Sequence, residues 1–438
     1  MSSAFGWGKI RIMKGKTKAS LPAGFRDLEP EAAQAKRRLV GKIEAVFKRH
    51  SFLPIETPAI ELISTLIGKG GTVDKQIFRV QHGEKNDWGL RFDLTVPLAR
   101  YVGDKRPTFP FYRYQIAPVW RGEKPQKGRW REFWQADADI VGSESVLADA
   151  EIISLLVEVM AALKIPAVIR VNHRFILEAL AQKLGLERQE AKALWGTIDK
   201  VGKITLDQAT EEIEKLWGKE KAEIASTYLK AKTLAEVERI LAGEKVKEGA
   251  ERIREILAIL GDLPEQGKVV FDACLARGLD YYTGVIFEAS FKGLGVSVAG
   301  GGRYDHLIAR LGGPDVPAVG VSFGIDRLLL ALREIGLENK GNDRRVLVVN
   351  FSDFSPAKQL DLVRQLRKEG LETEWFLEKK SIGDQLRYAN KKDFRWVIIW
   401  GSEEEKKGVV KLKDMEKKEE KEFSSVKELA AFLQENEG

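Results

Sequence analysis

The 438-residue chain holds one cysteine, Cys274, so it can form neither an internal disulfide nor a cysteine-built metal cluster. Its four histidines, His50, His82, His173 and His306, are scattered without ligand spacing, and no metal site is expected. Such thiol usage fits a reducing cytoplasm. Long apolar runs are missing too: Glu158 and Lys164 interrupt the best candidate for a membrane span. The N-terminus carries Lys9, Arg11, Lys14, Lys16 and Lys18 with no apolar stretch behind them, and so does not read as a secretory signal. The glycine cluster at Ala299–Asp305 is not followed by Gly-Lys-Ser/Thr, so it is no P-loop, and it lacks the dinucleotide fingerprint as well.

What is present is a composition of 44% hydrophobic and 31% charged residues, ordinary for a soluble protein with a sizeable core. The length predicts two or three domains. A net charge of +7 and a pI near 9.1 admit a polyanionic partner without requiring one. Between Lys105 and Arg131 the basic residues Arg106, Arg113, Arg121, Lys124, Lys127 and Arg129 are opposed by Glu123 alone. The bland reading is a solvated basic face. Interleaved Tyr112, Tyr114, Trp120 and Trp130 make it less comfortable.

Residues 1–20 read as a mobile basic arm. A helix begins at Glu29-Pro30, with an apolar stripe through Leu39, Ile43, Val46 and Phe47. FLPIETPAIE reads as an extended edge, and FYRYQIAPVWRG and GRWREFWQADADIVG as strands joined by a polar loop. An amphipathic helix is expected over Glu151–Leu163. From about Arg174 to Leu263, Ala, Leu, Glu and Lys recur at helical period, which predicts a helical insertion. Strands resume over 268–291. The AGGGRYD stretch reads as a tight turn, and a strand then runs into the helix DRLLLALREIG. Residues 337–343 form a polar linker, followed by alternating strands and helices of a small α/β domain. Its run EEEKK…KKEEKE reads as a solvated hairpin.

Arg121, Arg277 and Arg327 stand at strand or helix junctions, where a planar, permanently charged fork suits phosphate oxygens. Asp93, Asp139 and Asp280 interrupt or flank strand-like runs, and a strand carboxylate usually costs stability unless it binds something. ARGLDYYTGVIFE gathers a cation, a carboxylate and two phenols at one strand entrance.

RFDLTVPLARY, PVWRGEKPQKGRWREFWQADADIVG, NHRFILEAL, ARGLDYYTG, AGGGRYD and VGVSFGIDRLLLAL follow one another in the order found in the histidyl-tRNA synthetase family, which the chain resembles from PAGFRDLEPE to its end. Two of the motifs are generic to class II synthetases, whereas RGLDYYTG and AGGGRYD are specific to the histidine family. The resemblance implies an α+β catalytic domain with an antiparallel sheet (21–173 and 264–336), a helical insertion (174–263) and a C-terminal α/β anticodon-binding domain (344–438). It implies ATP-dependent ligation of L-histidine to tRNA(His) through histidyl-adenylate in the cytoplasm, with ATP and Mg2+ as a substrate complex and no prosthetic group. It further implies a homodimer, with the helix from Glu29 and the FLPIETPAIE segment at the interface.

By the same likeness, Arg121 grips the α-phosphate, Glu123 contacts ATP, Phe133 stacks on adenine and Arg327 lines the nucleotide's far side. Asp93, Thr95 and Gln135 surround the α-amine of histidine. Asp139 and Tyr282, with Tyr281 beside them, read the imidazole. Arg277 stands where the histidine family resembles a variant that uses an arginine in place of a metal. Gln126, with Lys124 and Lys127 in the same loop, faces the tRNA. Aspartates at 93, 139 and 326, where bacterial relatives often carry glutamate, resemble an archaeal or eukaryotic-like branch. The rival expectation is a non-catalytic histidine-sensing paralogue, such as the regulatory subunit of ATP phosphoribosyltransferase. Such relatives typically lose the ATP-gripping arginines or the C-terminal domain, and this chain keeps both. A class II synthetase for another amino acid is a second rival, against which RGLDYYTG speaks.

Overall fold

The computed structural model describes residues 20–67, 76–83, 85–124, 128–201, 204–261, 267–277, 281–291, 293, 295–337 and 345–435. The chain divides into two compact units, Met1–Glu338 and Asn339–Gly438. The basic arm over 1–19, the linker residues 338–343, and Gln126, Lys127 and Asp280 lie outside the described residues.

The first unit opens with α1 (Pro30–Arg49). Pro30 takes a helix start that needs no N–H, and Leu39, Ile43, Val46 and Phe47 form its buried stripe. Next come β1 (Leu53–Pro54), β2 (Ile60–Leu62), α2 (Ile63–Ile67), β3 (Arg79–His82), β4 (Lys85–Leu90) and α3 (Thr95–Lys105). The long strands β5 (Phe111–Trp120) and β6 (Glu132–Val141) precede α4 (Val146–Ala162) and β7 (Ala167–His173). Six helices, α5 (Arg174–Lys183), α6 (Arg188–Ile198), α7 (Leu206–Trp217), α8 (Lys219–Leu229), α9 (Leu234–Leu241) and α10 (Glu244–Leu260), fill the segment read as an insertion. The unit closes with β8 (Gly267–Phe271), β9 (Val285–Phe291), β10 (Val296–Arg303), α11 (Leu307–Arg310), β11 (Ala318–Gly324) and α12 (Ile325–Glu334).

Eight strands form one sheet in the order β1-β5-β6-β11-β10-β9-β7-β8. The run from β5 to β7 is antiparallel throughout, as expected, while β1 pairs parallel to β5 at one edge and β8 parallel to β7 at the other. The sheet is therefore mixed. Helix α4 starts five residues before its expected position, because the Ser145 hydroxyl accepts from Leu147 N and caps an apolar first turn. The glycine cluster is no tight turn: Gly300, Gly301 and Gly302 lie inside β10, paired on both sides. The reason is close approach, since a Cβ on Gly301 would stand 2.0 Å from the Gly320 carbonyl oxygen.

The second unit contains β12 (Arg345–Val348), α13 (Pro356–Lys368), β13 (Glu372–Trp375), α14 (Ile382–Lys391), β14 (Trp396–Ile399), α15 (Ser402–Lys407), β15 (Val410–Asp414), β16 (Glu420–Phe423) and α16 (Val426–Glu435). Its sheet order is β13-β12-β14-β15-β16, parallel around β12 and antiparallel beyond β14. Strand β12 is apolar on both faces: Val346 and Val348 meet Leu362, Leu366 and Leu429, while Leu347 meets Phe376, Ala389 and Val397. The charged run read as a hairpin is only partly one. Glu403–Lys407 are helical, held by Gly401 N donating to Glu404, and the hairpin is β15–β16, crossed by a 2.7 Å Lys413–Glu420 pair.

Candidate active site

Side chains alternate along β6, and the alternation separates two tasks. On β6, Ala136, Ala138 and Ile140 face the core that α1, α4 and α10 help to build. Gln135, Asp137 and Asp139 face the other way. Register carries that polar face across the sheet. Gln115 and Arg113 of β5 oppose Asp137 and Asp139, and so do Ser322 and Gly320 of β11. Gly300 and Gly302 of β10 come next, then Glu288 of β9 and Arg170 of β7. Glycines at 300, 302 and 320 let Arg277, Tyr282 and Asp139 lie directly against the middle of this face. A Cβ at Gly320 would stand 1.9 Å from Asp139 Oδ1, and one at Gly300 would stand 2.4 Å from Arg277 Nη1.

One end of the face is acidic and phenolic. Arg113, one of the basic residues between Lys105 and Arg131, is 0% exposed and lies 2.6 Å from Asp139 Oδ2 through Nη2. Tyr304 donates its hydroxyl to the other Asp139 oxygen. Burial pushes the Asp139 carboxyl up, with Arg113 and Tyr304 pulling it back. Asp137 is pushed up to about 7, chiefly by burial and partly by its neighbours Asp139 and Asp93, against the pull of Arg113. Asp93 caps the region from the start of α3, where its Oδ1 accepts from Val96 N at 2.9 Å, and Thr95 opens that helix. Gln135 Nε2 donates to Ser322 Oγ at 2.5 Å. The rings of Tyr281 and Tyr282 are 4.5 Å apart in the loop before β9, and burial pushes the Tyr282 phenol up to about 12. Asp93 acts on Tyr281, and Asp137 and Asp139 act on Tyr282, so the three carboxylates and two phenols share one small region.

The other end is cationic. Arg121 leaves β5 with Nε donating to the Phe92 carbonyl at 2.9 Å, its guanidinium 5.0 Å from the centre of the Phe133 ring. Arg277 is held by Glu288, 2.5 Å from Nε, and donates from Nη1 to Ser297 Oγ at 3.1 Å. The second Glu288 oxygen takes Arg170 at 2.6 Å. Arg327 donates to the Ser297 carbonyl at 2.9 Å, so Ser297 ties two arginines together. Burial lowers the Arg327 pKa, and the charges of Arg277, Arg129 and Arg121 add to the effect. Four guanidiniums thus crowd one end of the face, which is an anion site by its chemistry. Glu123 pairs with Arg129 at 2.9 Å and accepts Arg131 on its main chain. Lys124 is exposed beside it.

The structure therefore gathers Asp93, Gln135, Asp139, Tyr281 and Tyr282 at one end, and Arg121, Phe133, Arg277 and Arg327 at the other. Sequence reasoning missed Asp137, Arg113, Tyr304, Glu288 and Ser297. The period-two spacing of Gln135, Asp137 and Asp139 was the available signal for the first of these. Among the described residues no group of three His, Cys, Asp or Glu side chains could hold a metal. Glu123 and Glu288, the described acids at the cationic end, are engaged by arginines.

A family model described as histidyl-tRNA synthetase matches residues 24–328, and one described as an anticodon-binding domain matches 345–436. The histidine--tRNA ligase of Bacteroides fragilis is 36% identical, with 92% of this chain and 96% of that protein covered. The crystal structure of histidyl-tRNA synthetase from Nostoc sp. superposes with a TM-score of 0.82 at 29% identity, covering 96% of this chain and 100% of that one. A Bacillus halodurans structure titled as an ATP phosphoribosyltransferase regulatory subunit/histidyl-tRNA synthetase gives a TM-score of 0.72 at 24% identity over 87% and 97% of the two chains, a likeness of fold alone. The relatives found are mostly bacterial and lend no support to an archaeal or eukaryotic-like branch. With both family models matched in order, the chain belongs to the histidyl-tRNA synthetase family.

Proposed function

We propose that the chain joins L-histidine to tRNA(His) in two steps, both on the polar face of the large sheet. In the first, the histidine carboxylate attacks the α-phosphorus of ATP, forming histidyl-adenylate and releasing pyrophosphate. In the second, a hydroxyl of the tRNA's terminal ribose attacks the adenylate carbonyl and AMP leaves. Arg121 and Arg277 hold the α-phosphate between them. Phe133 stacks on adenine, Arg327 closes the nucleotide's far side and Glu123 contacts ATP. Mg2+ arrives with ATP as part of the substrate. Asp93, Thr95 and Gln135 take the α-amine, and Asp139 with Tyr281 and Tyr282 bounds the imidazole.

The observation that carries this reading is the gradient along one face, carboxylates and phenols at one end and four guanidiniums at the other. Its ends match the two charged ends of the amino acid and nucleotide, and the glycines between them let Arg277 and Asp139 lie close against the sheet. Arg277 is a fixed charge aimed at the charge that develops on the phosphate. The second unit is the anticodon reader, and the loop with Lys124, Gln126 and Lys127 meets the acceptor end of the tRNA. The chain works as a homodimer in the cytoplasm. Leu53, Ile60 and Leu62 are exposed apolar residues in the segment assigned to the interface, 62%, 42% and 48% accessible, and among the described residues no helix is long and apolar enough to cross a membrane.

Pyrophosphate exchange measured with each of the twenty amino acids tests the reading. Exchange with histidine alone is expected. Histidine binding without exchange would instead identify a sensor, and exchange driven by another amino acid would identify a different synthetase.

A further inference from the structure

The stretch PAGFRD, residues 22–27, supplies no side chain of the proposed site, yet it is fastened to several pieces of it. The Gly24 carbonyl accepts from Arg131 N at 2.9 Å, and the Ala23 carbonyl accepts from Arg131 Nη1 at 3.1 Å. Arg131 in turn donates from Nε to the Glu123 carbonyl at 3.2 Å and accepts Arg121 N on its own carbonyl at 2.8 Å. The strap thus holds the returning arm of the loop that starts at Arg121. Phe25 packs edge-on against Phe78, with 5.9 Å between ring centres, and Gln76 nearby in sequence accepts Gly122 N on the outgoing arm at 2.7 Å. The Arg26 guanidinium lies 4.5 Å from the centre of the Trp130 ring and pairs with Asp326. Asp326 is 8% exposed and has a second task. The β6–β11 ladder ends with Gly324 opposite Gln135, and the preceding N–H of β6, that of Trp134, donates to Asp326 Oδ2 at 3.0 Å. Asp326 adjoins Arg327 as Trp134 adjoins Phe133, so one carboxylate sets the spacing of two residues assigned to the nucleotide.

We infer that Arg26 is a positioning residue for the nucleotide half of the site, acting through Asp326, and that residues 22–27 are the strap that carries it. The inference rests on the proposed ATP-dependent function. A carboxylate as buried as Asp326 is costly without a countercharge, and Arg26 supplies it. Lys36 also feels Asp326, but it sits over the Trp134 ring, 4.1 Å from the centre. Without Arg26 the carboxylate loses the contact that fixes it. The Trp134 N–H and the first turn of α12 loosen with it, and Phe133 and Arg327 no longer keep the spacing that the nucleotide fills. The histidine end is spared, since none of these contacts reaches Asp93, Asp139 or Tyr282.

The test is histidine-dependent pyrophosphate exchange by the full-length wild type, Arg26→Met, Arg26→Lys and Asp326→Asn, each with a melting curve. Arg26→Met keeps much of the apolar length of the side chain and removes the charge and the fork. It is expected to raise KM for ATP roughly tenfold while KM for histidine stays within about twofold. Arg26→Lys should restore part of the ATP affinity, since it keeps the charge without the flat fork that covers Trp130. Asp326→Asn, alone or combined with Arg26→Met, should raise KM for ATP by the same factor as Arg26→Met alone, because each breaks one shared link. An unchanged KM for ATP in Arg26→Met overturns the inference. So does a parallel rise in both KM values with a lowered melting temperature and no rescue by lysine, which would make Arg26 a fold contact only. Should Arg26→Met fail to fold, Arg26→Gln is read by the same criteria. A wild type without histidine-dependent exchange overturns the proposed function, whereas a wild type that exchanges no better than Arg26→Met at limiting ATP overturns the inference alone.

Discussion

Arg277 is the residue on which the proposed chemistry turns. Its pairing with Glu288 and Ser297 fixes the guanidinium before substrate arrives, so little reorganisation is left for the reaction. Arg277→Ala should slow histidine-dependent pyrophosphate exchange by about 100- to 1,000-fold, or about 3–4 kcal/mol, with a smaller change in histidine binding. Lysine should rescue only in part, because a point charge cannot keep two directed contacts. Gly300→Ala offers an independent check. A methyl group there meets Nη1 and must push the guanidinium aside, so exchange should fall while histidine affinity holds. If Gly300→Ala exchanges at the wild-type rate, the placement of Arg277 does not matter. Asp139→Asn should cost stability as well as histidine affinity, because it removes the charge beside a fully buried guanidinium, at about 3–5 kcal/mol, readable in a denaturant titration.

Among the elements, α1 and α4 are joined by a titratable clasp. His50, at the end of α1, lies 2.8 Å from Glu151 and 3.1 Å from Glu158, both on α4, while Arg49 reaches Glu158 at 3.6 Å. The hydrogen bond to Glu151 raises the His50 pKa above 6.5, against burial. A raised histidine pKa contributes stability that is full below the unfolded value near 6.5 and is lost as pH climbs through the folded value. The wild type should therefore lose more melting temperature than His50→Gln between pH 6 and pH 8.5. Equal slopes in both proteins would mean that the clasp does not couple to folding. Elements of this kind were largely legible in the sequence, because apolar period and capping residues are local signals. Strand pairing was not. AGGGRYD looked like a turn because glycine signals a turn locally, whereas inside the strand Gly300 makes way for Arg277, Gly301 for the Gly320 carbonyl and Gly302 for the Val285 carbonyl. Asp137 and Asp139 are indistinguishable in QADAD; what separates them is a buried arginine 26 residues upstream of one of them.

For the whole molecule, the two units differ in what they should carry. A chain ended at Glu338 keeps the large sheet and its polar face, and should form adenylate while charging tRNA poorly. Full-rate charging by that fragment would remove the second unit from anticodon reading. An insoluble fragment would show that the first unit needs the second to fold. Association with tRNA should weaken steeply with salt through counterion release. Lys124→Ala should flatten the slope of log affinity against log salt by about 1, whereas Lys413→Ala, whose lysine already pairs with Glu420, should leave it unchanged. Family, reaction class and the cationic end of the site could be read before any fold was known, since arginines at junctions are visible in order. The internal partners of the carboxylates could not, because Arg113 and Tyr304 reach Asp139 only once the sheet is paired.

The alternation of β6 has a consequence for how this gene can vary. Neighbouring codons answer to different selective pressures: Ala136, Ala138 and Ile140 to whether the chain folds, Gln135, Asp137 and Asp139 to what it accepts. A saturation library read out separately for abundance and for growth should show a two-residue beat along β5, β6 and β11. Substitutions on the core side should deplete the protein. Many of those on the polar side should leave it abundant and inactive, except at Asp139 and Gly320, where both readouts should drop together. New amino-acid specificities can therefore be sought in alternate codons without touching the letters that keep the sheet together.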